Sequence, residues 1–209
     1  MLELFLITIA VISYLIGSIN TAIIVGKVSS GDDIRKHGSG NAGATNALRT
    51  YGKIAALFVV LGDCLKAVIS CIIAIIISYN TPLGAENVKL AIYAAGIGTV
   101  LGHNFPLYFG FKGGKGILVS VTALMFANWK IALAILIISI VAIAITKYVS
   151  LGSIMGAILF IILPLIFKNN DLPYLIFSIA LSILALYSHR ANIVRLINGT
   201  ERKITSKKK

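Results

Sequence analysis

Apolar residues fall in runs at 4–25, 54–78, 88–102, 117–127, 131–146, 149–167 and 172–187, and the polar residues gather between them. The first two runs are long enough to cross about 30 Å of hydrocarbon at about 1.5 Å of rise per residue. The shorter ones need flanking polar residues, tilt or a locally thin bilayer. Two of the shortest flank the segment 102–116, which reads as a pair of helices broken around a polar insertion. Non-helical backbone at that depth survives only where it lines a wet cavity or packs in protein. The pattern therefore predicts an all-α, polytopic membrane bundle of seven transmembrane helices, with short or broken helices around the polar loops. A five-span reading with two re-entrant hairpins leaves the termini on the same sides.

Composition agrees. Hydrophobic residues make up 58% of the chain and charged residues 12%, against roughly 45–50% and about 25% in a soluble domain. The opening MLELFLITIAVISYLIG has no basic n-region and no small-residue cleavage site, so it reads as a retained first span. Basic residues set the orientation. With the N-terminus outside, Lys27, Arg35, Lys36, Arg49, Lys53, Lys112, Lys115, Lys147 and seven tail residues from Arg190 to Lys209 lie inside. Only Lys89, Lys130 and Lys168 lie outside, and Lys66 falls within a span. The C-terminus is then cytoplasmic. The net charge of +12 fits inner loops meeting anionic lipid, not nucleic acid. No repeat or linker divides the chain, so 1–209 reads as one integral-membrane domain. Its basic tail, 198–209, reads as solvated and drawn to lipid headgroups.

Three polar segments, 37–49, 102–116 and 188–201, share the predicted cytoplasmic side. The first reads HGSGNAGATNALR. Its Gly38, Gly40 and Gly43 match a dinucleotide fingerprint, but a span precedes them where a βαβ unit needs a strand. The local physics remains: a glycine-rich turn leading into a helix exposes backbone N–H groups to an anion. Asn41, Thr45 and Asn46 add neutral hydrogen-bonding groups, and Arg49 can grip phosphate bidentately. The plain alternative is an inter-span loop with a capped helix.

The second segment, GHNFPLYFGFKGGKG, is no Walker A motif, since Gly116 stands where Ser or Thr must hold magnesium. Gly113, Gly114 and Gly116 around Lys112 and Lys115 still allow backbone to wrap an anion; snorkelling lysines in an interfacial belt are the alternative. His103 alone reads as structural. In the third segment His189 and Asn192, three apart, share a helical face, while Arg190 and Arg195 read as positive-inside anchors. Asp63 and Lys66, three apart in an apolar run, read as a structural ion pair, with support of the site as the alternative. The pairs Gly98/Gly102 and Gly152/Gly156 predict close helix contacts. Cys64 and Cys71, two turns apart, cannot bridge. No Cys, His and carboxylate cluster has metal-ligand spacing, so no metal and no cofactor is expected.

Together these features describe a basic, glycine-rich cavity facing the cytoplasm, open to phosphates from water and an acyl chain from the bilayer. A transporter or channel for a phosphorylated anion is the competing reading. The motifs GSGNAGATNALR, GHNFPLYFGFKGGKG and SHRAN, with the Gly62–Lys66 GD-x-x-K, resemble those of the bacterial membrane-integral acyl-phosphate:glycerol-3-phosphate acyltransferases. The resemblance covers essentially the whole chain. It implies acyl transfer from a fatty acyl phosphate to the 1-hydroxyl of glycerol 3-phosphate, giving lysophosphatidic acid and phosphate in the bacterial inner membrane, for phospholipid synthesis. By that pattern Ser39 and Arg49 are functional positions of the first motif. Gly113, Gly114, Gly116 and the two lysines form a phosphate loop, His189 and Asn192 a polar pair, and Glu201 a weaker match. Function as a monomer is the working expectation.

Overall fold

The computed structural model describes residues 1–167 and 171–204. Lys168, Lys207, Lys208 and Lys209, which entered the orientation argument, lie outside the described residues. Among the described residues the regular elements are all helices, with no strand: α1 (Leu2–Gly17), α2 (Thr21–Ser30), α3 (Ala44–Tyr51), α4 (Lys53–Tyr79), α5 (Pro82–Glu86), α6 (Val88–Asn104), α7 (Ile117–Thr146), α8 (Val149–Ile166), α9 (Leu172–Ser188) and α10 (Arg190–Ile197).

The first apolar run is not one continuous helix. The chain leaves α1 at Ser18 and restarts at Thr21, because Asn20 takes an extended conformation and its side chain accepts the Ile23 N–H at 3.1 Å, capping α2. The break frees the Ile19 carbonyl, which accepts a hydrogen bond from Lys66 Nζ at 3.1 Å.

Helix α7 also breaks. Asn128 has φ −156° and ψ 91°, and its side chain accepts the Ile131 N–H at 3.3 Å to start the second arm. A straight helix of 30 residues would be about 45 Å long. Yet Lys115, just before it, bonds Asn192, and Lys147, just after it, accepts the Ile204 N–H at 2.8 Å. Both ends thus meet the same C-terminal segment, and the chain reverses at Asn128.

Among the described residues four helical stretches are long and apolar enough to cross a membrane, namely Leu2–Ser30 taken together, α4, α7 and α8. A fifth joins them if α9 and α10, bent by 60°, count as one span. The sequence pattern expected seven. The difference comes from α6 and α9, each of 17 residues and so about 26 Å long, and from the two arms of α7 being one element.

Small residues bring α1 onto α6: a side-chain carbon at Gly98 or Gly102 would collide with the Ala10 or Tyr14 carbonyl. Gly152 and Gly156 lie as closely against Ser139 of α7, so both predicted small-residue contacts are present. The main apolar core lies among α6, α7, α8 and α9, where Tyr93 stacks on Phe177 with ring centroids 5.0 Å apart. Both cysteines are free.

Hydrogen bonds tie the three polar segments together at one end of the bundle. Asn104 Nδ2 donates to Ser188 Oγ at 3.1 Å, Lys115 to Asn192, and Arg49 to the Arg202 carbonyl at 3.0 Å. The opposite end is joined by Tyr93 donating to Asp171 at 3.2 Å.

Candidate active site

Where the three segments meet, they enclose a cavity of about 740 Å³. Ser39, Arg49, Lys115, His189 and Asn192 all line it, so residues up to 153 positions apart converge.

Asn46 shapes the first wall. Buried in α3, it accepts the Ser39 N–H at 2.9 Å and donates to the carbonyls of Ile34 and His37 at 3.2 and 3.0 Å. Gly38 holds φ +61°, and any side chain there would collide with Asn46 Oδ1. Asn46 is therefore spent on holding the loop. Gly40, Asn41 and Thr45 line the cavity beside it.

The second segment departs from expectation. Lys112 is exposed, and neither it nor Gly113 nor Gly114 lines the cavity. The Gly113 and Gly114 N–H groups donate to the carbonyls of Asn104 and His103 at 3.1 and 3.0 Å. Those two amides hold the loop against the end of α6 and are not free for a phosphate. Arg35, before the first motif, fixes the same loop from outside. One edge of its guanidinium binds the Asp33 carboxylate at 2.7 Å, and Nη1 donates to the Phe109 and Lys112 carbonyls at 2.6 and 2.9 Å. What the segment presents to the cavity is Lys115 and Gly116, at the start of α7, and His103 near the end of α6.

The third segment contributes a chain of charge-assisted bonds. Asn192 accepts from Lys115 and donates to Glu201 Oε1 at 3.0 Å, while Glu201 Oε2 accepts from Arg195 Nε at 2.7 Å. This chain, with the Ile204 N–H on the Lys147 carbonyl, holds Glu201 and Ile204 against the site, while Asn198, Gly199, Thr200 and Lys203 around them are exposed. The tail expected from composition to be solvated is thus exposed over most of its described residues but anchored to the site at Glu201 and Ile204. Burial raises the Glu201 pKa, but hydrogen bonds from Arg195 and Asn192 outweigh it and hold the carboxyl below its ordinary value.

His189 is buried past the end of α9, where its Nδ1 donates to the Ala185 carbonyl at 2.8 Å. Nε2 of the neutral ring is then an acceptor. Burial and the neighbouring Lys115 push its pKa down to about 4. Burial, then Arg195, push Lys115 down to about 8 against the pull of Glu201. Arg49 is lowered by burial against the same pull. Burial is the largest cause of all three shifts, and the cations Arg49, Lys115, Arg195 and Arg202, which all line the cavity, add to it.

Sequence reasoning missed Arg195 and Arg202 as cavity residues, and also Ser150 and Ser153 of α8. Arg195 carried a signal, being three residues beyond Asn192 and so on its helical face. The serines carried none. Among the described residues no cluster of His, Cys, Asp and Glu could hold a metal ion.

A multi-pass helical membrane protein whose cationic, glycine-walled cavity gathers at one end of the bundle belongs to the class that handles phosphorylated molecules at the membrane surface. The glycerol-3-phosphate acyltransferase family matches residues 7–199, and the chain belongs to that family. A glycerol-3-phosphate acyltransferase of Clostridioides difficile (strain 630) is 47% identical over 202 residues, covering 97% of each chain. One from Thermoanaerobacter sp. (strain X514) is 46% identical over 198 residues, covering 95% of each. The crystal structure of PlsY (YgiH), an integral membrane glycerol 3-phosphate acyltransferase, in its glycerol 3-phosphate form, superposes with a TM-score of 0.83 at 33% identity, covering 95% of this chain and 94% of that one. Its lysophosphatidic acid form superposes with a TM-score of 0.80. The chain is an acyltransferase enzyme, and the competing transporter reading is set aside.

Proposed function

We propose that the protein transfers a fatty acyl group from an acyl phosphate to the 1-hydroxyl of glycerol 3-phosphate, releasing lysophosphatidic acid and phosphate. The observation that carries this reading is the convergence of Arg49, Lys115, His189 and Asn192 on one cavity. We read the chain as one domain of seven spans in a bacterial cytoplasmic membrane, N-terminus outside, with the cavity facing the cytoplasm. The basic-residue asymmetry and the reversal at Asn128 support that layout.

An acyl phosphate is already activated, so positioning and charge stabilisation are the work left to the protein. Arg49 and Lys115 hold the two phosphates, and Gly116 at the start of α7 adds the backbone N–H that Gly113 and Gly114 cannot. Ser39 and Asn192 orient the reacting groups. His189 Nε2, an acceptor with a pKa of about 4, is a poorer base than a phosphate oxygen with a second pKa of about 6. It therefore orients the glycerol hydroxyl by accepting its hydrogen bond. The hydroxyl oxygen bonds to the acyl carbon, the bond from that carbon to the phosphate oxygen breaks, and the proton leaves its hydrogen bond to Nε2 as the new bond forms and ends on the departing phosphate.

The test is purified protein with palmitoyl phosphate and glycerol 3-phosphate, following phosphate release and lysophosphatidic acid together. Absence of both products overturns the reading. His189→Gln keeps the wild-type pH profile, since glutamine can accept the hydroxyl hydrogen bond without taking a proton. An altered profile would return the base role to His189.

A further inference from the structure

The cavity contains a second histidine that no motif argument brought to it. His103 and Asp63 both line its inner wall, although both are almost fully buried. Behind them Lys66 Nζ stands 2.9 Å from the Asp63 carboxylate, 3.1 Å from the Ile19 carbonyl freed by the break after α1, and 2.8 Å from His103 Nδ1. An ammonium donates and cannot accept. With Lys66 ion-paired to Asp63, His103 Nδ1 must be the acceptor of the 2.8 Å contact, and the ring proton of neutral His103 belongs on Nε2. Asp63 also faces Nδ1, but at 3.4 Å, too long to compete with Lys66. Nε2 lies against Gly114, where any side chain would collide with it. Gly114 thus places no side chain over that edge of the ring, and His103 borders the cavity.

We propose that His103 is a further substrate-binding residue, its Nε2–H donating a hydrogen bond to a phosphate oxygen in the cavity, with Lys66 as the positioning residue that fixes the tautomer. This rests on the reaction proposed above and names a donor for it. The two cavity histidines are then opposite in polarity. His189 has its Nδ1–H tied to Ala185 and offers an acceptor, whereas His103 has its Nδ1 tied to Lys66 and offers a donor. A hydroxyl to be oriented and an anion to be held need one of each. Asp63 and Lys66, read from sequence as an ion pair with support of the site as the alternative, do both: they neutralise each other and set the proton on the neighbouring ring.

Two measurements test this. The first is ¹⁵N NMR of histidine-labelled protein, which has three histidines. His103 in the Nε2–H tautomer near pH 7 is the expected result, and an Nδ1–H or doubly protonated ring overturns the assignment whether or not any variant folds. The second is turnover of His103→Leu and His103→Gln, with KM measured separately for glycerol 3-phosphate and palmitoyl phosphate. Loss of a hydrogen bond to a charged group corresponds to about a tenfold or greater rise in KM. His103→Leu should show it for one of the two reactants, which identifies whose phosphate is held. His103→Gln, whose amide N–H can take the place of Nε2–H, should recover most of the loss. Unchanged KM for both reactants in His103→Leu overturns the proposal. Wild-type turnover is the control: its absence would overturn the proposed reaction itself, whereas wild-type turnover with a silent His103→Leu overturns the His103 role alone.

Discussion

The alkaline limb of the pH profile should belong to Lys115. Burial and the surrounding cations bring its pKa to about 8, so the free enzyme loses the ammonium as pH rises through that value. Because kcat/KM reports the free enzyme, it should fall about tenfold per pH unit above 8, each decade being about 1.4 kcal/mol of lost transition-state stabilisation. A bound phosphate dianion favours the charged lysine, so the bound-state pKa is higher and kcat should hold to a more alkaline pH than kcat/KM. Stability runs the other way. An unfolded lysine keeps its proton to about pH 10.4, so between the two values the unfolded chain binds more protons than the native one. Rising pH then stabilises the fold as far as Lys115 is concerned. Falling kcat/KM with undiminished thermal stability between pH 8 and 9.5 would separate loss of the ammonium from unfolding. No cysteine or tyrosine is among the described residues that line the cavity, so no other group of that class titrates there. Lys115→Arg, charged throughout the range, should be slower in absolute rate but lack the limb. The same limb persisting in Lys115→Arg would refute the reasoning.

Two substitutions test the loop behind that lysine. Gly114→Ala puts a methyl group into the His103 ring and within 2.9 Å of the Ala42 carbonyl. It should cost about 1–3 kcal/mol of stability, as overpacking does, and most of the turnover, measured by thermal unfolding and phosphate release; wild-type values in both would show that the loop yields freely. Arg35→Ala frees the Phe109 and Lys112 carbonyls and the Asp33 carboxylate at once. It should raise KM for glycerol 3-phosphate more than it lowers kcat, and Arg35→Lys should not rescue it, because an ammonium cannot bridge both edges of the guanidinium's partners. Unchanged KM in Arg35→Ala would refute the role.

The helices and the polar end of the bundle were legible in the sequence, since hydropathy runs and the clustering of Gly, Asn and Lys report burial and wetness directly. Particular side chains were harder. Asn46 and Ser39 look alike in a Gly-rich stretch, yet Asn46 turns inward to bind two carbonyls and one N–H while Ser39 faces the cavity. That choice depends on where 34–37 runs, which no local pattern encodes. Gly113 and Gly114 looked like free donors because a glycine-rich loop exposes amides in isolation. The end of α6 supplies acceptors for both, a tertiary fact. Arg195 and Arg35 were hidden for the converse reason: basic residues at an inner membrane face are expected for orientation alone, so one that lines the cavity and one that braces its loop do not stand out from the rest.

The two glycine-rich segments therefore do different physical work. In the first, one buried asparagine satisfies the backbone and leaves side chains free to meet the substrate. In the second, the glycines let the backbone lie against α6 and the His103 ring, and the only charge delivered to the cavity is Lys115. That division bears on catalysis. Four like charges around one cavity repel one another, and that repulsion adds to burial, the larger cause, in depressing the pKa of Lys115 and of nearby His189. Two phosphorylated reactants offset those charges together, so the cavity's electrostatics favour the state in which donor and acceptor are both bound. For a reaction whose acyl group arrives activated, bringing two anions into contact is the step that water cannot do well. A cavity whose cations are best neutralised by two anions accomplishes it without a strong nucleophile.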